Sequence, residues 1–465
     1  MTAAVPCRGT LLAALALALL APVSATQTQP SALALVGGAL IDGTGAPRVE
    51  GVTVLLRGQR IAAVGRDVQV PADALVVDVA GKTLMPGLFD MHGHYYGNTG
   101  GKIGNLFEPY ALLYLASGVT TTFSPGDFDP EGMQQFRDRC RRGDAIAPRI
   151  LTAGPYFDHD PSYIPWIHGI ADADAAVQLL QRWRERIDGV KVYTRITEDE
   201  LSAVLTAAHA AKLTVTGHLE SVTATRAIEL GIDRLEHGLF AMSEFARRGS
   251  EPFDLAYHER IAGLDLDGAA VQALIKSIVQ HHVVVDPTIV VIQASLGRLD
   301  PVTAEIEKYF GDGVLDRWRR VESMRDRMTK RHGEAWPKAV DASLKKAKEF
   351  VGRVHRAGGS VVAGTDPVAI TLLPGWALHR ELSNFVDGGL TPLEALRCAS
   401  YGAAKALGLA AELGTIEVGK RADLLIVAGD PSADLAALSR IETVIQDGVR
   451  HEAAALRRRA EGGIR

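Results

Sequence analysis

The stretch LFDMHGH, residues 88–94, ends an apolar run with an aspartate and two histidines placed two residues apart. Side chains two residues apart on a β-strand point to the same face. His92 and His94 would therefore project together from the end of one strand. Because imidazole is a common metal ligand, the pair predicts a metal site, and a loop that happens to hold two histidines is the alternative.

Short apolar segments alternate with helical stretches from residue 85 onward. Thr197 with Glu200, and Thr391 with Glu394, have the spacing of a helix capping box. Eight strand–helix repeats predict an α/β fold, namely a (β/α)8 TIM barrel over residues 85–412. The eight candidate strands are LFDMHGH (88–94), VTTTFSP (119–125), RILTAGP (149–155), GVKVYT (189–194), LTVTGH (213–218), RLEHG (234–238), HVVVDPT (282–288) and SVVAGTD (360–366).

Both ends of the chain have a different texture, with short strands and tight turns in residues 32–84 and again in residues 413–453. The segment VTVLLRGQRIAAVG (52–65) indicates a hairpin with Gly58 in its turn. Because the chain begins and ends in the same style, we expect both ends to build one small β-sandwich domain beside the barrel.

Residues 1–25 have the features of a secretory signal peptide: Arg8, an apolar run over residues 11–21, and the small-residue cleavage site VSA at 23–25. A membrane anchor is the alternative, but the run is shorter than the roughly 20 residues that span a bilayer. We therefore expect export, to the periplasm or out of the cell. Cys140 and Cys398 would remain. They could form one disulfide, although two thiols far apart in sequence are more often simply buried.

The composition limits the class of partner. Apolar residues make up 47% of the chain, which is enough for a large core. The net charge of −5 shows no basic bias, so we expect a small-molecule substrate and neither nucleic acid nor a membrane as partner. The sequence leaves a homo-oligomer open.

Four more of the candidate strands carry polar residues that face the same rim as LFDMHGH. They are Lys191, His218, His237 and Asp366. Each could be an ordinary core or capping residue, but a barrel enzyme keeps its active site at this C-terminal rim. Lys191 would be unfavourable inside a barrel as a bare ammonium, unless it reaches solvent or pairs with Asp188. Carboxylation by CO2 would turn it into a carbamate that can bridge two metals.

The complete set resembles the amidohydrolase superfamily in its two-metal, carboxylated-lysine form. LIDGTG (40–45) and LGTIEVGKRADLLIV (413–427) also resemble the flanking β-sandwich of that family. The resemblance implies two divalent ions. The more buried ion would be held by His92, His94, Lys191 and Asp366, and the more exposed one by His218, His237 and the bridging Lys191. Zinc is the preferred metal for these nitrogen and oxygen donors, with manganese, cobalt and iron left open.

The same resemblance implies a reaction. The metals would lower the pKa of a bridging water, and Asp366 would act as general acid and base, taking its proton and passing it to the leaving nitrogen. The segments DGVKVYT (188–194) and LHRELSNFVDGGLTPLEAL (378–396) are most similar to imidazolonepropionase-like enzymes and Xaa-Pro dipeptidases. We therefore expect a metal-dependent hydrolase that cleaves amide-type C–N bonds in a dipeptide, an N-acyl amino acid or a cyclic amide.

Residues that contact the substrate are harder to identify from the sequence. Tyr193 and Arg195 follow Lys191 and could hold a substrate carboxylate, and His168 is a third candidate. A metallo-esterase, lactonase or organophosphate hydrolase would use the same metals, and a non-catalytic barrel scaffold is a further alternative. The charged stretch 314–336, in the long insertion at 289–345, is expected to be a solvated helix face, with a lid as the alternative.

Overall fold

The computed structural model describes residue 1 and residues 32–99, 102–162, 164–246, 254–299, 303–320, 324–369 and 372–465. The expected signal peptide lies outside these residues, except for Met1. Among the described residues, no helix is both long and apolar enough to cross a bilayer.

Strands dominate the two ends of the described chain, and strands alternate with helices between them. The nineteen described strands are β1 (Leu33–Leu40), β2 (Val49–Arg57), β3 (Arg60–Gly65), β4 (Leu75–Asp78), β5 (Lys82–Pro86), β6 (Leu88–Asp90), β7 (Tyr96–Asn98), β8 (Ile103–Asn105), β9 (Val119–Ser124), β10 (Arg149–Thr152), β11 (Tyr156–Phe157), β12 (Val190–Val192), β13 (Val215–Gly217), β14 (Arg234–Glu236), β15 (Val284–Asp286), β16 (Ser360–Val361), β17 (Leu424–Ala428), β18 (Ile441–Gln446) and β19 (Val449–Glu452). The eighteen described α-helices are α1 (Phe107–Ala116), α2 (Pro130–Arg141), α3 (Ala173–Trp183), α4 (Glu198–Ala210), α5 (Ala224–Leu230), α6 (Gly238–Ala241), α7 (Ser243–Ala246), α8 (Leu255–Ala262), α9 (Ala269–Gln280), α10 (Ile289–Ser295), α11 (Ala304–Glu307), α12 (Val314–Arg320), α13 (Met324–His332), α14 (Ala335–Arg356), α15 (Trp376–Asp387), α16 (Pro392–Cys398), α17 (Tyr401–Ala406) and α18 (Ala453–Ala460), and a 3₁₀ helix covers Leu435–Arg440.

The two chain ends meet in one mixed sheet, with the strand order β19-β18-β17-β5-β1-β2-β3 and with β4 paired to β1. Strand β17 lies antiparallel to β5, so that Ile426 pairs with Leu84. The hairpin of β2 and β3 turns at Gly58, as the sequence predicts. The described residues of the two chain ends form a single sheet by strand pairing. The expected β-sandwich, which needs a second sheet packed face to face on this one, stays a prediction.

The middle of the chain forms two parallel sheets. The smaller sheet has the order β10-β9-β6, and the larger has the order β11-β12-β13-β14-β15-β16. All eight segments that the sequence predicts as strands contain one. The α/β class is therefore confirmed, whereas the assigned sheets do not themselves form a closed barrel.

Backbone hydrogen bonds connect the two parallel sheets at their outer edges. Met91 donates to the carbonyl oxygen of Ala363 at 2.9 Å, and Asp366 donates to that of His92 at 2.8 Å. These bonds join the segment after β6 to the segment after β16. They hold the ends of the first and last predicted barrel strands side by side.

Helix α4 shows how the local sequence positions the helices around these sheets. Thr197 and Glu200 form the predicted capping box at its start. The buried residues Leu201, Val204 and Leu205 follow at helical spacing and give the helix one apolar face. The second predicted capping box, at the start of α16, is also present.

The charged stretch in the second insertion is partly solvated. None of the residues of α13 is buried, as expected for a solvated helix face. The helices on either side of α13 contact the rest of the protein. Trp336 of α14 is buried, and Arg317 of α12 donates to the carbonyl oxygen of Thr99 at 3.4 Å. Cys140 and Cys398 are both free thiols.

Candidate metal centre

The predicted ligands come together where the parallel strands end. The imidazole centroids of His92 and His94 are 5.1 Å apart, those of His92 and His237 are 5.0 Å apart, and those of His218 and His237 are 4.3 Å apart. The carboxylate of Asp366 lies 3.3 Å from Nε2 of His94 and 4.0 Å from Nε2 of His237. These five side chains and Lys191 line one cavity of about 580 Å³.

The donor set of this cavity fits a divalent cation. Two groups of three residues place their ligand atoms within 4.8 Å of one another, namely His92 with His94 and Asp366, and His92 with Glu236 and His237. The Nδ1 atoms of His92 and His94 are buried without a hydrogen-bond partner. Imidazole nitrogens and carboxylate oxygens gathered at this spacing are the donors that zinc and similar ions take.

The protonation of the two central ligands suits metal binding. Burial, with Lys191 and His237 nearby, holds the pKa of His92 well below its usual range, so its imidazole stays neutral. Burial alone would raise the pKa of Asp366, but the hydrogen bond and charge of His94, with the charges of His237 and Lys191, lower it to about 2. Neutral imidazole and ionised carboxylate are the ligand forms.

Lys191 has a partner that sequence reasoning missed. Its side chain is only 1% exposed, and its Nζ contacts the carboxylate of Glu236. Burial lowers the pKa of this lysine to about 7. The alternative partner, Asp188, instead accepts a hydrogen bond from Arg137 at 2.9 Å. The lysine is therefore held inside the fold and does not reach solvent.

Glu236 belongs to a buried polar chain below the cavity. The hydroxyl of Thr216 donates to Glu236 at 2.6 Å, and Nε of Arg234 donates to that hydroxyl at 2.9 Å. Arg234 and Glu236 are two residues apart in β14 and so share a face. The alternation of Arg234 and Glu236 in RLEHG was the sequence signal that could have revealed Glu236.

Asp286 is the second residue that sequence reasoning missed. Its side chain is 0% exposed, neither carboxylate oxygen has a hydrogen-bond partner, and Oδ2 lies 3.7 Å from Nδ1 of His92. Burial raises its pKa to about 8. Gly364 makes room for this approach, because a Cβ added there would lie 2.4 Å from Oδ1 of Asp286 and 2.6 Å from Cβ of His92.

Three non-glycine residues at this rim have left-handed backbone conformations. The φ angles are 56° for His237, 51° for Asp366 and 41° for Thr288. Thr288 also fixes the imidazole ring of His237, because its Oγ1 is hydrogen-bonded to Nδ1 of His237 at 2.6 Å. Non-glycine residues in this region are strained and are typical of functional sites.

The three candidate substrate contacts are placed differently. Tyr193 lines the cavity, and its ring lies 5.1 Å from that of His218. Arg195 and His168 are exposed and are not among the lining residues. The guanidinium of Arg195 donates to the carbonyl oxygen of Pro161 at 2.6 Å. Substrate contact by Arg195 and His168 therefore stays a prediction that this arrangement does not favour.

Comparison with known proteins gives the family. Residues 83–450 match the family described as the amidohydrolase family. A segment of 70 residues is 62% identical to imidazolonepropionase from Sphingopyxis alaskensis, and one of 62 residues is 45% identical to N-acyl-D-glutamate deacylase from Alcaligenes xylosoxydans xylosoxydans. These segments cover 15% and 13% of this chain, and only 16% and 12% of those two relatives.

A solved structure agrees over the whole fold. The crystal structure of a Xaa-Pro dipeptidase with methionine bound in its active site has a TM-score of 0.69. The match covers 91% of this chain and 100% of that one, at 20% sequence identity, which shows a common fold alone. Since the family match covers most of the sequence, the chain belongs to the amidohydrolase family.

Proposed function

We propose that this protein is a metal-dependent hydrolase that cleaves amide-type C–N bonds in small-molecule substrates. The observation that carries the proposal is the convergence of four histidines and Asp366 on one cavity, with Lys191 buried at its wall. Membership of the amidohydrolase family supports it, as do partial matches to relatives named as an imidazolonepropionase and a deacylase.

The proposed ligands divide into two groups that share Lys191. His92, His94 and Asp366 would hold one ion, and His218 and His237 would hold the other. Two divalent ions in these positions, zinc by preference, would lower the pKa of a water molecule and polarise a substrate carbonyl group. In this arrangement Asp366 accepts a proton from the attacking water and donates it to the leaving nitrogen.

We infer that carboxylation of Lys191 accompanies metal loading. In the unmodified chain the ammonium group of Lys191 is the counter-ion of the buried Glu236. Conversion to a carbamate would replace that positive charge with a negative one beside Glu236. Two like charges in a buried site are unfavourable without cations, so the modification and the ions would stabilise each other.

The architecture that presents this site is proposed to be a closed (β/α)8 barrel. The hydrogen bonds between the segments after β6 and β16 support closure between the first and last strands. We assign the barrel to residues 85–412, and a small β-sandwich domain to residues 32–84 and 413–453. The one sheet that both chain ends share supports the second assignment. Export of the mature protein is also a proposal, based on residues 1–25.

Metal analysis and a substrate panel together test the function. The mature protein would be purified, loaded with zinc, and analysed for bound metal by mass spectrometry. It would then be assayed with Xaa-Pro dipeptides, N-acyl amino acids, neutral amides, lactones, aryl esters and phosphotriesters. We expect two metal equivalents and hydrolysis of amides.

Two results would contradict the proposal. Turnover of lactones, aryl esters or phosphotriesters with no turnover of amides would support the other metallohydrolase class. A protein that binds no metal and is inert with every ion supplied would support a non-catalytic scaffold.

A further inference from the structure

The described residues that line the cavity are uncharged apart from the candidate ligands. Besides the six predicted ligands, its described lining comprises four aromatic residues, five aliphatic residues and Asn98. Ile103, Val368 and Ala369 are among the aliphatic ones. No arginine is found among the described lining residues, and Asp366 is the one carboxylate there.

The aromatic residues form one continuous wall. The ring centroids of Trp166 lie 5.7 Å from those of both Tyr96 and Tyr156, and Tyr156 lies 5.1 Å from Tyr193, each pair in an edge-to-face arrangement. Tyr96 also lies 4.7 Å from the ring of His94. Mutual edge-to-face packing stabilises such a wall and holds it in place beside the metal ligands.

The polar groups of this wall are neutral. The hydroxyls of Tyr96 and Tyr156 are hydrogen-bonded to each other at 2.6 Å. A tyrosine hydroxyl is neutral at physiological pH, because its ordinary pKa is about 10. The wall therefore offers ring faces and neutral hydroxyl groups to a ligand, and no charge.

Three cations near the described lining residues have other partners. Arg195 donates to the carbonyl oxygen of Pro161, and Arg317 donates to that of Thr99. Lys191 contacts Glu236. A substrate carboxylate pressed against the described aromatic wall would lose its water without gaining a counter-ion from these three groups, which is unfavourable.

We propose that the cavity binds neutral, apolar amides. In these substrates one substituent of the amide is aromatic or branched aliphatic, and no carboxylate is present on either side of the scissile C–N bond. This substrate class rests on the proposed function and narrows it. It departs from the expectation of a dipeptide or an N-acyl amino acid. The volume of about 580 Å³ is in the range of pockets that enclose a drug-sized ligand, so an aryl group and an amide fit together.

A matched pair of substrates tests the proposal. N-benzoylpyrrolidine and N-benzoyl-L-proline differ only in the carboxylate. With the zinc-loaded mature protein, we expect kcat/KM to be at least about 10-fold higher for the neutral amide, which corresponds to about 1.4 kcal/mol. Equal values, or a preference for N-benzoyl-L-proline, would overturn the proposal.

Calorimetric titration of the same two compounds separates this proposal from the proposed function. Binding of the neutral amide at least about 10-fold more tightly, with neither compound hydrolysed, would support the ligand class and count against the hydrolase. Tighter binding of the charged compound, or binding of neither, would overturn the ligand class whatever the activity.

Substitution of Ile103 tests whether the cavity wall lacks a cation for a substrate carboxylate. Its side chain lines the cavity and is 39% exposed. Ile103→Arg adds a cation to the wall, whereas Ile103→Gln adds a neutral polar group of comparable length. We expect the arginine variant to raise kcat/KM for N-benzoyl-L-proline, relative to the neutral amide, by at least about 10-fold. The glutamine variant should leave the ratio unchanged, and an equal shift in both variants would contradict the argument.

Substitution of Trp166 tests whether the aromatic wall is the binding surface for the ligand. Trp166→Ala should weaken binding of N-benzoylpyrrolidine by about 10-fold or more while the bound metal stays constant, because this ring packs against Tyr96, Phe128 and Tyr156. Trp183→Ala is the matched control, since the ring of Trp183, the last residue of α3, packs against the guanidinium of Arg186. Unchanged binding in Trp166→Ala would show that the aromatic wall is not the binding surface.

Discussion

Nδ1 of His92 lies 3.7 Å from Oδ2 of Asp286, and neither atom has a hydrogen-bond partner. A histidine that binds a metal through one nitrogen usually donates its other N–H to a carboxylate or carbonyl, which fixes the tautomer and the orientation of the ring. Asp286 is the carboxylate in position to do this for His92. We therefore predict that Asp286 is a positioning residue for the candidate metal centre.

Asp286→Asn should weaken metal binding by roughly 10- to 100-fold, because an amide orients the imidazole less strongly than a carboxylate. Competition with a chromogenic zinc chelator measures the change. Asp127→Asn is the matched control, since Asp127 is equally buried but bonded to Ser124 and Thr152. Equal metal affinity in wild type and Asp286→Asn, or an equal loss in both variants, would contradict a specific role for Asp286.

Sequence reasoning found the residues at the strand ends but not the contacts between strands. His92, His94, His218, His237 and Asp366 follow from strand periodicity, because that period fixes which side chains share a face. Glu236 and Asp286 lie in segments correctly predicted as strands. Their roles depend on what faces them across the interior, and this follows from register and packing between distant segments.

The orientation of the Arg195 side chain also depends on a contact between segments that are distant in sequence. Its position two residues after Tyr193 correctly indicates a location near the rim. The direction of its long side chain is set by Pro161, in a loop 34 residues earlier in the chain. Sequence spacing contains no information about such a loop contact, and the carboxylate-binding role of Arg195 stays a prediction.

Lys191→Ala should lose bound metal and recover part of it when short carboxylic acids are added, because such an acid can occupy the place of the carbamate. Metal content and amidase activity with and without acetate or propionate measure this. Wild-type metal content in the untreated variant would show that Lys191 is not a ligand.

The same substitution also leaves Glu236 buried without its cation, and the variant should be less stable by roughly 3–5 kcal/mol. Denaturant unfolding of Lys191→Ala and of the double variant Lys191→Ala/Glu236→Ala separates the two effects. The double variant should regain stability without regaining metal. If it remained as unstable as the single variant, the pairing of Lys191 with Glu236 would not be the cause.

Asp366→Asn, assayed with zinc in excess to offset the weaker ligand, should lose about 10²–10⁴-fold in kcat, because the amide cannot accept the proton of the attacking water. Asparagine tolerates the left-handed conformation of this residue, with φ of 51°, so the backbone should be preserved. Asp174→Asn, at an exposed position in α3, is the control. Normal turnover by Asp366→Asn with full metal content would exclude the proton-transfer role.

Gly364→Ala should destabilise the protein by roughly 1–3 kcal/mol and also weaken metal binding. The added Cβ would lie 2.4 Å from Oδ1 of Asp286 and 2.6 Å from Cβ of His92, so one of the two side chains must move. Urea unfolding and chelator competition measure the two consequences.

Gly104→Ala is the matched control for that substitution, because nothing lies within 4 Å of a Cβ added there. Both variants lose the same backbone freedom in the unfolded state, so the difference between them reports the collision alone. A Gly364→Ala protein that bound metal as wild type does would show that His92 and Asp286 can separate without loss, and that their close approach does not position the ligand.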